Sequence, residues 1–111
     1  MSELDKERYV VDHETGNIEI EHNESAHRFD TRVNGHLAFL QYRYSHNGDM
    51  VLVHTEVPGP LGGRGIGSKL ARAALEYASS RELKVVPACP FISTYIKRHP
   101  EYESLVGSKK E

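Results

Sequence analysis

Between Val57 and Ser68 the chain carries Gly62, Gly63, Arg64, Gly65, Ile66 and Gly67, so glycine recurs four times within six residues. Glycine takes a positive φ at little cost and lets a ligand come close to the backbone. The loop opens a helix, where the first amides have no intrahelical partner and face the positive end of the helix dipole. An anion such as phosphate gains hydrogen bonds and field there. Just before the loop stand His54 and Glu56, and further on Cys89 and Tyr95. An imidazole titrates near neutral pH and can accept a proton from an amine. Glu56 is the rival base. Cys89 is either an inert buried thiol or an acyl-carrying nucleophile, which would need its thiolate. Tyr95 lies on an apolar stripe, where packing is the plain reading.

Other chemistries fit less well. A P-loop requires Lys-Ser/Thr after the last glycine, and here the order is Ser68-Lys69. A dinucleotide fingerprint needs a different third glycine spacing and a parallel-sheet context. The seven histidines His13, His22, His27, His36, His46, His54 and His99 show no paired ligand spacing, and Cys89 is the lone cysteine, so no metal site is expected. Surface positions are expected for most of them.

A strand must end at the loop and a helix must begin there. Met50 to Val57 is the most apolar strand candidate, closed by Pro58-Gly59-Pro60, and it is expected to be central. Alternation sets Leu52, His54 and Glu56 on one face, with Val51, Val53, Thr55 and Val57 on the other. Before it, Asn17 to Asn23, His27 to Val33 and Leu37 to Tyr44 read as strands of an antiparallel meander, with turns at Asn34-Gly35 and Asn47-Gly48. After the loop, Ile66, Leu70, Ala73, Ala74 and Tyr77 recur at helical spacing, with Lys69, Arg72 and Glu76 opposite, and that helix runs to near Ser80. Leu83 to Val86 predicts a short strand parallel to the Met50 strand. Pro90 opens a second helix, with Phe91, Ile92, Tyr95 and Ile96 on one stripe, that stops before Pro100.

The chain has 111 residues and a formal charge of -2. That length suits one core, and the charge gives no global attraction to nucleic acid or to an anionic membrane. No apolar run approaches the roughly 20 residues that a spanning helix needs. The opening Met-Ser-Glu-Leu-Asp-Lys-Glu-Arg lacks the apolar centre of a signal peptide. With a single cysteine, a reducing cytoplasm and a monomer are expected. Residues 1–16 read as a flexible N-terminal arm, 17–103 as the domain and 104–111 as a loose C-terminal tail.

The order of elements, the run Gly-Gly-Arg-Gly-Ile-Gly-Ser-Lys-Leu, the segment His54-Thr55-Glu56-Val57-Pro58 and the segment Pro87-Ala88-Cys89 together resemble the GNAT superfamily of acyl-CoA-dependent N-acetyltransferases, most closely its small members. The resemblance spans about Asn17 to Tyr102. It implies an α/β (α+β) minimal GNAT-like fold: an antiparallel meander and then a β-α-β-α unit with two parallel strands splayed around a CoA site. It also implies that acetyl-CoA is the co-substrate and an unidentified small-molecule or protein amine the acceptor. Gly65 and Gly67 match the small positions of the family loop, whose amides hold the CoA pyrophosphate. Val57 and Gly62 to Ser68 are the implied cofactor residues. Gly62 stands where the family carries Gln or Arg, and Arg64 is the nearest replacement charge. Tyr95 matches the tyrosine that protonates the leaving CoA thiolate. Only Glu21 to Ala26 separates the first two strand candidates, so the usual pair of helices there is missing. Two other readings stay open, a non-catalytic acyl-CoA-binding module and a protein-interaction domain.

Overall fold

The computed structural model describes residues 6–10 and 18–107. Among them six strands follow one another across a single sheet in chain order. They are β1 (Lys6–Val10), β2 (Glu19–Asn23), β3 (Arg28–Val33), β4 (His36–Tyr44), β5 (Met50–Glu56) and β6 (Val85–Pro87). The first five are antiparallel neighbours, and β5 and β6 are parallel. Helix α1 (Ile66–Ser80) joins β5 to β6, and α2 (Pro90–Arg98) follows β6. This is the α+β arrangement that the hydropathy pattern predicts. Strand β5 is the fifth of six, flanked on both sides as its apolar run requires.

Local chemistry explains the turns. Asn34 and Gly35 both have positive φ, 53° and 81°, which makes the tight two-residue hairpin between β3 and β4. The Asn47-Gly48 turn is wider. There Ser45 Oγ accepts from the Asp49 amide at 3.1 Å, and the Ser45 amide donates to the Asp49 carbonyl at 2.9 Å. Between β2 and β3 lies one 3-10 turn, Glu24–Ala26, capped by Asn23 Oδ1.

One face of the sheet forms the core. Cross-strand neighbours His22, Phe29, Leu40 and Thr55 share that face, and so do Tyr42 and Leu52. Helix α1 covers it from β2 to β5. His22 is fully buried, an exception to the surface positions expected for most of the histidines. Its ring stacks on Phe29 at 4.1 Å, and Nε2 lies 2.6 Å from the Tyr42 hydroxyl. The Tyr77 hydroxyl donates to Glu24 Oε2 at 3.2 Å. Burial holds the Tyr42 and Tyr77 phenols neutral and pushes Tyr77 up to about 12.

Three further expectations change. Lys6–Val10, read within a flexible arm, form β1 and pair with β2 from Lys6↔Asn23 to Val10↔Glu19; the rest of that arm lies outside the described residues. Lys69, assigned to the polar face of α1, is buried, and α2 and the segment after it also pack against that helix. The segment read as a loose tail begins inside a 3-10 helix, Pro100–Leu105, and then Val106 bridges Val85 and the Gly107 amide donates to the Val85 carbonyl at 2.8 Å. Residues 108–111 lie outside the described residues.

Tyr102 pins that segment, since its buried ring carries a hydroxyl that donates to Glu76 Oε2 of α1 at 2.6 Å. Tyr102→Ala should therefore cost about 3 kcal/mol in urea denaturation, through lost burial and a cavity. A loss near zero would restore the picture of a loose tail.

Candidate active site

The site depends on an irregularity in β5. Gln41 of β4 opposes His54, but the next residue, Tyr42, opposes Leu52, so Val53 has no partner across the ladder. Val53 is the extra residue of a β-bulge and is 40% exposed. Side-chain phase shifts there. Leu52 faces the core, as does Thr55 opposite Leu40, whereas His54 and Glu56 project from the other face beside Gln41 and Phe39. The alternation expected from sequence, with Leu52, His54 and Glu56 together, is corrected for Leu52. His54 and Glu56 do share a face.

On that face His54 Nε2 lies 2.9 Å from Glu56 Oε1, and both side chains are about half exposed. Glu56, read as a rival base, thus stands within hydrogen-bond distance of the imidazole. The Phe39 ring stands 6.0 Å from the His54 ring. Gln41 is fixed by donating Nε2 to the carbonyls of Ala26 and His27, each at 3.0 Å. A groove of about 700 Å3 lies on the neighbouring strands, lined among others by Glu21, Arg28, Asp30, Arg32 and Leu37.

Strand β5 also runs on beyond the end of β6. Their pairing ends at Leu52↔Pro87, and the last link is the Cys89 amide donating to the Leu52 carbonyl at 3.0 Å. Cys89 caps α2 and is buried, with Sγ 3.7 Å from Thr55 Oγ1. Burial pushes its thiol up, but hydrogen bonds from the Thr55 hydroxyl and the amides of Ile92, Phe91 and Thr55 outweigh that, and the net pKa falls below the ordinary thiol value. Cys89 therefore meets Thr55, and His54 points the opposite way. The structure does not bring His54 and Cys89 together.

The glycine loop starts where β5 ends. Val57 is half-buried against the core, and a 3-10 turn, Gly59–Leu61, anchors the loop through buried Leu61. Gly63 and Gly65 take positive φ, 82° and 73°. Gly62 is extended and Gly67 is helical, so of the four only Gly63 and Gly65 use a positive φ. At Gly67 a Cβ would sit 2.9 Å from Phe91 Cζ, so this glycine admits α2 close to α1. Gly65 caps α1 with no side-chain hydrogen bond, and the first turn holds no acidic residue. Gly65, having no side chain, does not cap the leading amides of Ile66, Gly67 and Ser68. Arg64 is exposed beside them.

Tyr95 lies elsewhere. It stacks on His99 with centroids 4.0 Å apart, 8% exposed, and burial raises its pKa in surroundings that include Arg72, Glu101 and Glu76. Sequence reasoning missed Thr55 as the partner of Cys89, and the Val53 bulge that turns it there. No composition signal marks a bulge. Among the described residues no three His, Cys, Asp or Glu side chains group as metal ligands, and no helix is long and apolar enough to cross a membrane.

A meander, a glycine loop without a side-chain cap at a helix start, and two parallel strands whose pairing ends beside it define a small acyltransferase-like fold. Residues 28–105 match the family model described as GCN5-related N-acetyl-transferase, and the chain belongs to that family. Protein NATD1 of Mus musculus is 39% identical over 87 residues, covering 77% of this chain and 79% of its own length. The Homo sapiens NATD1 is also 39% identical, over 85 residues and 75% of each chain. The solution structure of a GCN5-like protein from Staphylococcus aureus superposes with a TM-score of 0.61 at 30% identity, covering 74% of this chain and 82% of that one.

The Thr55 contact makes a direct test possible, because Cys89 is the chain's single cysteine. Thr55→Val should raise the thiol pKa relative to the native protein, read from the pH dependence of thiolate ultraviolet absorbance. The native shift also has a sign in stability: a depressed folded-state pKa adds stability above the ordinary thiol value, lost as pH falls through the folded value. An unchanged titration in Thr55→Val would show that the hydroxyl does not hold the thiolate.

Proposed function

We propose that the protein transfers an acetyl group from acetyl-CoA directly to an amine, with no covalent stage on the enzyme. The observation that carries this reading is the glycine loop at the start of α1, open to an anion, beyond the end of the β5–β6 pairing. Family membership supports acetyl-CoA as the co-substrate. In this reading Val57 and the stretch Gly62 to Ser68 hold the cofactor, the backbone amides around Gly65 meet its pyrophosphate, and Arg64 adds charge.

His54, oriented by Glu56, accepts the proton that the amine nitrogen loses as it bonds to the acetyl carbonyl carbon. As the carbon–sulfur bond breaks, the CoA thiolate departs and takes its proton from solvent, because Tyr95 is buried against His99. Cys89 lines the pocket. A covalent route would need a base at its sulfur, and His54 is on the opposite face of β5. The acceptor reaches His54 across Phe39 from the polar groove over β2 and β3. The missing helices between β2 and β3 leave that approach open.

Turnover with a panel of amines tests the assignment. His54→Ala should lower kcat about a hundredfold or more, and Cys89→Ser should keep most of the activity. Mass spectrometry of the native protein with acetyl-CoA alone should show no stoichiometric acetyl group. Acetylation of Cys89 that passes to an added amine would overturn direct transfer. CoA binding without turnover of any amine would favour a binding module, and no CoA binding at all would leave an interaction domain.

A further inference from the structure

The polar face of the sheet holds a fixed cation that takes no part in the transfer step. Arg28 of β3 opposes Gln41, which in turn opposes His54, so Arg28 and His54 belong to one cross-strand row, two strands apart. The neighbouring row runs Glu21, Asp30, Phe39 and Glu56. Arg28 is held from two sides: its Nε donates to Asp30 Oδ2 at 2.8 Å, and its guanidinium carbon stands 5.8 Å from the centre of the Phe39 ring. Among the described residues no hydrogen bond takes either terminal nitrogen of that guanidinium. Arg28 is partly exposed and, with the exposed Arg32, lines the groove over β2 and β3. The carboxylates of the groove are already engaged, Asp30 by Arg28, and Glu19 and Glu21 by partners of their own.

A guanidinium with both terminal nitrogens open is a planar pair of donors that matches the two oxygens of a carboxylate. Asp30 and Phe39 fix its direction beforehand, so less freedom is lost when an anion binds. Two strand spacings are roughly 10 Å, and a hydrogen bond takes about 3 Å at each end, so one molecule that reaches both His54 and Arg28 must separate its two polar ends by several bonds. Phe39 lies between the two positions, its ring 6.0 Å from that of His54, and offers an apolar surface to the methylenes. We infer that the acceptor is an amine carrying a carboxylate several bonds away, as an ω-amino acid does, and that Arg28 binds this carboxylate while the amine stands at His54. This rests on the amine-transfer reading above and names the class of acceptor within it. A cation at the far end of the acceptor would meet the guanidinium and be repelled.

The test is steady-state acetyl transfer by the full chain to three amines that differ only at the far end, 5-aminopentanoate, 5-aminopentanamide and 1,5-diaminopentane. In the native protein kcat/KM should be about tenfold or more higher for the carboxylate than for the amide, chiefly through KM, and lowest for the diamine. Arg28→Gln should raise KM for 5-aminopentanoate and bring its preference over the amide close to one. Should that variant fail to fold, Arg28→Lys, which keeps a charge beside Asp30 but lacks the planar fork, should lower the preference several-fold. Equal use of carboxylate and amide by the native protein would overturn the inference and leave amine transfer intact. So would a preference for the diamine, which would assign the groove to its carboxylates, or a preference for 5-aminopentanoate that survives the loss of Arg28. Transfer to other amines but to none of these three would overturn the inference alone, whereas transfer to no amine at all would overturn the amine-transfer reading and the inference with it.

Discussion

The site depends on one unpaired residue in a β-ladder. Val53 interrupts the register between β4 and β5, and the arrangement of the side chains follows from that single insertion. The strand changes phase, so Thr55 turns toward Cys89 while His54 and Glu56 turn to the polar face. Strand β5 also runs on past β6, whose three residues pair with Met50 to Leu52. A bulge re-aims the side chains beyond it, so the separation of His54 from Cys89 has its origin there. Parallel strands hold ligands beyond their carboxyl ends, and the bulge lies at that place.

Economy shapes the rest of the molecule. A chain this short has a limited core, and one helix, α1, covers four strands of the sheet. Small side chains let it lie close: Ala71, Ala73, Ala74 and Ala78 are all buried. Polar groups that enter the core come with partners, as with His22 on Tyr42 and Tyr77 on Glu24. The segment Pro100 to Gly107 completes the structure by bridging β6 and hydrogen-bonding to α1 through Tyr102. That closure packs against α1 at Glu76.

Much of this was legible in the residues. Asn34-Gly35 set its hairpin turn because both positions tolerate positive φ. Pro58 ended β5, Pro90 opened α2, and the 3.6-residue recurrence from Ile66 gave α1 its inner stripe. These are local effects, fixed by backbone sterics and by periodic burial over a few turns. The glycine loop was equally plain, although only Gly63 and Gly65 use their conformational freedom and Gly67 serves the contact with Phe91.

What the tertiary structure alone decided involves partners far apart in the chain. Alternation read along β5 is correct only while the ladder is regular, and the bulge at Val53 depends on how β4 lies beside it. The pairing of Lys6–Val10 with β2, the burial of Lys69 and the meeting of Cys89 with Thr55, 34 residues away, are of the same kind. By itself the sequence determined the elements, their order and the glycine loop at the start of α1, because those follow from dihedral preference and local hydropathy. Which side chains face one another across the site was left to packing, since a register shift of one residue reverses every face beyond it.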